Sequence, residues 1–130
     1  MPGSIPWEAV GRYWHCALIG SSSWNVATKD LGFRHVRFHG ILNDDMGTLI
    51  THQDKPLYSF FNTDRIWDFL LSIGMRPVVE LGFMPESLAS GSDVVFHFRG
   101  NVTPPKDYDQ RATLIRNLVG HWVERMASTK

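Results

Sequence analysis

Hydrophobic and polar positions follow two different patterns along the chain, and the two patterns alternate. Short segments rich in β-branched and aromatic residues at 35–40 and 76–84 predict β-strands. Segments 64–74 and 104–126 instead repeat apolar residues every three or four positions, which predicts helices. Strand, helix, strand and helix in this order indicate βαβ units with a parallel sheet. The sequence therefore predicts an α/β fold.

The two predicted helices carry boundary signals of their own. Gly74 is placed to end the first helix, whose apolar stripe comprises Ile66, Phe69, Leu70 and Ile73. The second helix has Thr103 as its predicted N-cap and prolines in its first turn. Its apolar stripe comprises Ile115, Leu118, Val119, Trp122 and Met126. Upstream, the sequence predicts a first strand over 13–20 and a short helix over 23–30.

Polar side chains fall on one face of each predicted strand, because successive side chains point to opposite faces. Arg37 and His39 share a face of the first strand, and Glu80 lies on one face of the second. In parallel neighbours about 4.8 Å apart, these three side chains would stand side by side. Buried charges must pair or face a wet cavity. Both an internal Arg37–Glu80 ion pair without a chemical role and a binding site explain the pattern.

The long connections of the predicted sheet all lie on one side. Residues 41–63 and 85–103 each join a strand to its following helix, whereas only two residues separate Gly74 from Pro77. Ligands of parallel sheets bind at the carboxyl ends of the strands, in these strand-to-helix loops. We therefore place the functional site on that side.

Composition limits the classes of function open to the chain. Its 130 residues fit one domain, and 13 basic residues balance 13 acidic ones, so no strong field attracts nucleic acid or an anionic membrane. The single cysteine, Cys16, is expected to be a small buried residue. The sequence shows neither a signal peptide nor an apolar run of about 20 residues that could span a membrane. A cytoplasmic domain is the expectation.

Three stretches of the chain resemble a known enzyme family. They are LGFRHVRFHGILNDDMG at 31–47, FNTDRIWDFLLSIGMRPVVELGFMPESLASG at 61–91 and VVFHFRGNVTPPKDY at 94–108. All three are similar to the β-xylosidases of glycoside hydrolase family 39, whereas residues 1–30 diverge. The resemblance implies that 1–130 form a single domain, the N-terminal portion of a (β/α)8 TIM barrel. This partial barrel would hold about three βα units with parallel strands, with 35–40 and 76–84 as strands two and three.

The resemblance also implies which residues contact a substrate. Members of the family cleave β-xylosides with retention through two glutamates at the ends of strands four and seven, and neither motif occurs in these 130 residues. Arg37 matches an arginine that helps hold the nucleophilic glutamate, and His39 matches a histidine that faces the sugar. Phe96 and Phe98 are candidate platforms for a sugar ring. Glu80 is a candidate binding residue but is not one of the two catalytic glutamates. No cofactor is implied.

Catalysis by these residues alone is not expected. Retaining hydrolysis requires two carboxyl groups about 5–5.5 Å apart, and nothing in the sequence places a pair in this way. The candidate carboxylates are Asp44, Asp45, Glu80 and Glu86. The first hypothesis is thus a glycosidase-family chain that forms part of a xyloside or xylo-oligosaccharide pocket. The alternative is a non-catalytic carbohydrate-binding or self-assembling module, a homo-oligomer formed through its open sheet edges.

A metal site is the last hypothesis. His35 and His39 lie on the same strand face but four residues apart, roughly 13 Å by the strand rise, so one ion cannot bridge them. His39 combined with Asp44 or Asp45 has no recognised ligand spacing. We therefore expect no metal.

Overall fold

The structure is a computed structural model that describes residues 30–96 and 99–128. The strand predicted over 13–20 lies outside the described residues, as does the helix predicted over 23–30 apart from its last residue. The helices are α1 (Phe61–Ser72) and α2 (Tyr108–Ser128). The strands are β1 (His35–Phe38), β2 (Leu49–His52), β3 (Lys55–Tyr58), β4 (Arg76–Val79), β5 (Val94–Val95) and β6 (Gly100–Asn101).

The predicted strand–helix–strand–helix order and the parallel strand pair are confirmed. Strands β1 and β4 pair in parallel, with Arg37 opposite Val78. Each strand leads through a long connection to a helix, α1 after β1 and α2 after β4. Two of the three expected βα units therefore lie within the described residues, and the class is α/β. Regular pairing of β4 ends at Val79, five residues before the predicted end of the strand.

The long connections contain turns and hairpins in addition to the predicted loops. The first holds a 3₁₀ turn at Asp44–Met46 and the antiparallel hairpin of β2 and β3. The second holds a 3₁₀ turn at Glu86–Leu88 and the short antiparallel hairpin of β5 and β6. Among the described residues, both connections leave from the carboxyl ends of the parallel strands. The turns and hairpins therefore lie on the side of the sheet where the sequence predicts the functional site.

The core lies between the two helices and the parallel strands. Within it, Trp67 of α1 packs against Trp122 of α2, and their ring centroids are 5.0 Å apart. The predicted stripe of α2 was partly wrong, because Val119 and Met126 are exposed and Leu114 is buried instead. The buried side of α2 therefore follows a four-residue spacing. The buried apolar residues are Val36, Ile41, Leu42, Met46, Leu49, Ile66, Trp67, Leu70, Met75, Leu88, Leu114, Leu118 and Trp122.

The end of α1 follows the prediction. Gly74 takes a left-handed conformation with φ +79°, which glycine adopts without steric cost. The amide of Gly74 donates to the carbonyl of Leu71 at 3.0 Å, and the amide of Met75 donates to the carbonyl of Leu70 at 2.9 Å. These two bonds satisfy carbonyl groups that the helix end would otherwise leave unpaired. Gly74 therefore ends the helix as expected.

The start of α2 differs from the prediction. Asp107, not Thr103, caps this helix, because its carboxylate accepts the amides of Asp109 and Gln110 at 2.9 and 3.1 Å. The preceding residues are extended, since Pro105 forms an antiparallel bridge with Ala89. That pairing prevents the helix from starting at the prolines. Within residues 30–96 and 99–128, no helix is long and apolar enough to cross a membrane.

Candidate functional site

Three polar side chains meet at the carboxyl ends of β1 and β4. The Glu80 carboxylate is shared, since Arg37 Nε donates to Oε1 and His39 Nδ1 forms a hydrogen bond with Oε2. Glu80 is the most enclosed of the three, with 20% of its side chain exposed against 68% for Arg37 and 58% for His39. The structure therefore brings together three of the five predicted site residues. We call Arg37, His39 and Glu80 the polar cluster.

The register of the parallel strands explains this meeting. Phe38 lies opposite Val79, so the next residue on each strand, His39 and Glu80, continues the same alignment. The chains stay together beyond the regular strands, because the Leu42 amide donates to the Gly82 carbonyl at 3.1 Å. Side chains two residues apart on a strand share a face, which brings Arg37 alongside. The geometry inferred from sequence alternation is thus confirmed.

An aromatic row continues from the polar cluster. The Phe83 ring lies between the His39 ring, at a centroid distance of 6.4 Å, and the Phe96 ring, at 6.2 Å and nearly edge-on. Phe96 has a positive φ of 61° and is 63% exposed. The predicted platform residue Phe98 lies outside the described residues. We call Phe83 and Phe96 the aromatic row.

Phe83 lies near His39 although it is an odd number of residues from Glu80. Strict alternation through residue 84 would place it on the face opposite Glu80, but regular pairing stops at Val79 and the backbone bends at Phe83. The β5–β6 hairpin approaches it closely, since the Met84 amide donates to the Asn101 carbonyl at 3.0 Å. The one available signal was Gly100, which permits an aromatic ring to lie against the backbone.

Asp44 links the two connections that follow the parallel strands. Its carboxylate accepts the backbone amide of Glu86 at 3.1 and 3.3 Å. Partial burial of this carboxylate against the facing loop raises the pKa of Asp44 above its ordinary value, and the hydrogen bond from the Glu86 amide opposes that shift. This acid fastens one loop to the other.

Arg111 of α2 supports the backbone next to Glu80. Its Nη2 donates to the carbonyl of Leu81 at 2.5 Å. Burial lowers the pKa of this guanidinium, which nevertheless stays charged at neutral pH. Leu81 directly follows Glu80 in the chain, so Arg111 helps to fix the turn that carries the polar cluster.

Comparison with known proteins identifies the family. The profile of Glycosyl hydrolases family 39 matches residues 20–130. This chain belongs to that family. A β-xylosidase of Caldicellulosiruptor saccharolyticus is 55% identical over 128 residues, covering 89% of this chain and 26% of the relative. A β-xylosidase of Geobacillus stearothermophilus is 48% identical over 104 residues, covering 77% of this chain and 21% of the relative.

Solved structures of the same family share the fold. A GH39 β-xylosidase from Caulobacter crescentus matches with a TM-score of 0.78 and 32% identity, over 84% of this chain and 25% of that one. The GH39 enzyme from Xanthomonas axonopodis pv. citri matches with a TM-score of 0.76 and 33% identity, over 83% of this chain and 22% of that one. This chain therefore spans about a quarter of the length of the relatives it matches.

Two carboxylates near the carboxyl ends of the strands already have partners within the chain. Both oxygens of Glu80 are already engaged, one by Arg37 and one by His39. Asp44 likewise holds a backbone amide. A nucleophile or general acid of a retaining glycosidase needs a carboxyl group that faces the scissile bond, with its partner about 5–5.5 Å away. In residues 30–96 and 99–128, no three His, Cys, Asp or Glu side chains converge as a metal site.

A second polar group joins the two helices on another part of the molecule. His121 Nε2 contacts both oxygens of Asp64 at 2.8 and 2.9 Å, and Arg125 Nη2 reaches the Asp68 carboxylate at 2.5–2.6 Å. The position of His121 on the helix interface indicates a structural role, because its partners come from α1.

Proposed function

We propose that the polar cluster and the aromatic row form part of a xyloside-binding pocket. The observation that carries the proposal is the Glu80 carboxylate held between Arg37 and His39 at the carboxyl ends of two parallel strands. The ring of Phe96 lies next to Phe83, which lies next to His39, and it offers an exposed flat surface. Sugar sites combine the two, since hydroxyl groups need donors and acceptors while the C–H face of the ring packs on aromatic carbon. The two β-xylosidase relatives indicate xylose as the sugar.

In this proposal the chain is a consecutive portion of a (β/α)8 barrel, a single domain in which β1 and β4 act as neighbouring barrel strands. Support comes from their parallel pairing, from the helix that follows each strand and from the family membership. Carboxyl ends of barrel strands carry the substrate site in TIM-barrel enzymes. The polar cluster lies at that end.

We further propose that the 130 residues bind a xyloside without hydrolysing it. Support comes from the contacts of the two carboxylates: Glu80 pairs with Arg37 and His39, and Asp44 accepts the amide of Glu86, so each acid has a partner within the chain. Complementation with the remaining strands of a family 39 barrel would supply the two glutamates that the family uses. Activity of the complete barrel is thus part of the proposal, as is xyloside as its substrate class.

Titration with xylose tests the binding function. We expect xylose to perturb the NMR signals of residues 37–39, 80 and 96, and Arg37→Ala or Phe96→Ala to weaken binding by about tenfold, the loss of one charged or stacking contact. Arg76→Ala is the matched control, because Arg76 lies at the opposite, amino end of β4. Equal loss of affinity in the control, or no perturbation at the named residues, would refute the proposal.

An aryl β-xyloside assay tests the catalytic part. The chain alone is expected to release no aryl alcohol above the rate of a buffer blank. Turnover that survives purification and is abolished by Glu80→Gln would overturn the non-catalytic assignment. Release that appears only after mixing with the rest of a family 39 barrel would support it.

A self-assembling module is the second candidate. Three apolar side chains at β4 and just after it are exposed: Val78, Val79 and Leu81. Contact between copies would cover them and close the open edges of the sheet. Light scattering after size-exclusion chromatography decides between the two candidates. A discrete oligomer that is lost on Val78→Lys favours assembly, whereas a monomer with affinity for xylose favours the barrel portion.

A further inference from the structure

Two histidine–carboxylate contacts within residues 30–96 and 99–128 use different ring nitrogens. His39 presents Nδ1 to Glu80, whereas His121 presents Nε2 to Asp64. A neutral imidazole carries one proton, and a carboxylate can only accept it. The hydrogen bond made by one nitrogen therefore decides the state of the other. The two rings are expected to be opposite tautomers.

We propose that Glu80 is a positioning residue that fixes His39 as the Nδ1–H tautomer. With its proton directed at Glu80, His39 keeps a lone pair on Nε2, and more than half of its side chain is exposed. Nε2 then accepts a hydrogen bond from a ligand hydroxyl. That this hydroxyl belongs to a sugar rests on the proposed function; the tautomer itself rests only on the contacts of Glu80.

Arg37 determines which atom of residue 80 faces His39. Its guanidinium has donors and no acceptor, so the oxygen that it contacts must be an acceptor. In the wild-type chain both Arg37 and His39 find an acceptor, because a carboxylate offers two acceptor oxygens. An amide at position 80 offers one oxygen and one NH₂ group. Arg37 would take the oxygen, and the NH₂ group would face His39.

The substitution Glu80→Gln therefore reverses the tautomer. The amide NH₂ can only donate, so Nδ1 of His39 must accept and the ring proton must move to Nε2. The ligand-facing nitrogen then changes from acceptor to donor, with little change in side-chain volume. Addition of Arg37→Met to Glu80→Gln removes the demand for the oxygen. The amide can then turn and accept from Nδ1–H, so the original tautomer becomes available again beside the reversed one.

Long-range ¹H–¹⁵N correlation spectra of the ¹⁵N-labelled chain report the tautomers directly. The spectra are recorded at a pH where titration shows the imidazoles to be neutral, and His39→Gln and His121→Gln assign the two rings. Wild type is expected to show Nδ1–H at His39 and Nε2–H at His121. Glu80→Gln should reverse His39 alone, and the double variant should regain part of the Nδ1–H form. Glu86→Gln, which removes a carboxylate of the next loop, is the matched control and should change neither ring.

Two results would overturn the proposal. They are Nε2–H at His39 in the wild-type chain and no reversal in folded Glu80→Gln. If Glu80→Gln does not fold, the wild-type spectrum still decides, because the opposite states of His39 and His121 are predicted without any substitution. A reversal produced equally by Glu86→Gln would also count against it.

Xylose titration of the same samples separates this inference from the proposed function. Glu80→Gln is expected to weaken xylose binding about fivefold, the value of one ordinary hydrogen bond, and Glu86→Gln is expected to leave it unchanged. Wild type with Nδ1–H at His39 but no affinity for xylose would support the positioning role and refute the sugar site. Affinity for xylose with Nε2–H at His39 would refute the positioning role and support the sugar site.

Discussion

Gly100 is the position where a single methyl group should damage the candidate site most directly. A Cβ added to Gly100 would lie 2.6 Å from Cδ2 of Phe83 and 2.8 Å from its Cε2 and Cγ. Carbon atoms attract each other best at about 3.5–4.0 Å and repel strongly below that separation. Gly100→Ala therefore forces the Phe83 ring to retreat by about 1 Å.

This movement of the Phe83 ring lowers the free energy of unfolding, because the ring has neighbours on two sides. Phe83 lies between the rings of His39 and Phe96, and the neighbouring backbone is tied to β6 by the Met84 amide. Overpacking of this kind costs about 1–3 kcal/mol of the free energy of unfolding. Because three ring atoms are involved and not the tip of a flexible chain, we expect the upper half of that range. Xylose affinity should fall with it.

Urea unfolding followed by tryptophan fluorescence measures this cost, with Gly120→Ala as the matched control. Gly120 lies within α2 and has no atom within 4 Å of an added Cβ. Its replacement should stabilise the chain by about 0.5–1 kcal/mol through the higher helix propensity of alanine. A Gly100→Ala chain as stable as wild type, at an unchanged denaturant slope, would refute the close approach of Phe83.

Three further predictions concern the helices and the loops. Asp64→Ala should lower the free energy of unfolding by about 1.5–3 kcal/mol, because it removes the carboxylate that contacts His121. Asp68→Ala is the control and should lower it by at most about 1 kcal/mol, because Asp68 is exposed. Equal losses for the two variants in urea unfolding would contradict the geometry. Leu118→Ala should lower the free energy of unfolding by about 2–5 kcal/mol, because Leu118 is fully buried. Val119→Ala, at the exposed neighbouring residue, should lower it by about 0.5 kcal/mol or less. Since burial raises the pKa of the native Asp44 carboxyl, ionisation reduces stability as pH rises above the ordinary value of 3.8. Asp44→Asn should therefore be at least as stable as wild type at pH 7 and lose that advantage at pH 3, as urea unfolding at both pH values would show.

The parallel pair and the polar cluster were predictable because strand geometry relates sequence position directly to space. A period of two places Arg37 and His39 on the same face, and parallel pairing with a short return connection sets Glu80 beside them. The end of α1 was predictable for a similar reason, since Gly74 has a conformation that other residues adopt at a steric cost. Such local rules depend on neighbouring residues and not on contacts with distant parts of the chain.

Features that depend on distant contacts escaped prediction. The β2–β3 hairpin turns at Gln53 and Asp54, both with positive φ, and this pair lacks the glycine that usually marks such a turn. The start of α2 depends on pairing of Pro105 with Ala89, sixteen residues earlier, which a helical pattern does not record. Phe83 joined the site because pairing ended before it, and no period in the sequence marks that point.

The core and the candidate site are separate, so substitutions in one should mainly affect stability and substitutions in the other should mainly affect ligand binding. The buried contacts lie between α1, α2 and the strands, and they include Leu118 with no exposed surface. Arg37 and His39 are mostly exposed, and their shared partner Glu80 is the one enclosed member of the cluster. An exposed ion pair contributes at most about 1 kcal/mol to stability. Substitution of Arg37 or His39 should therefore change ligand binding while the urea midpoint stays nearly constant. Substitution of Glu80 should affect both, because it is partly enclosed and contacts both of the other side chains.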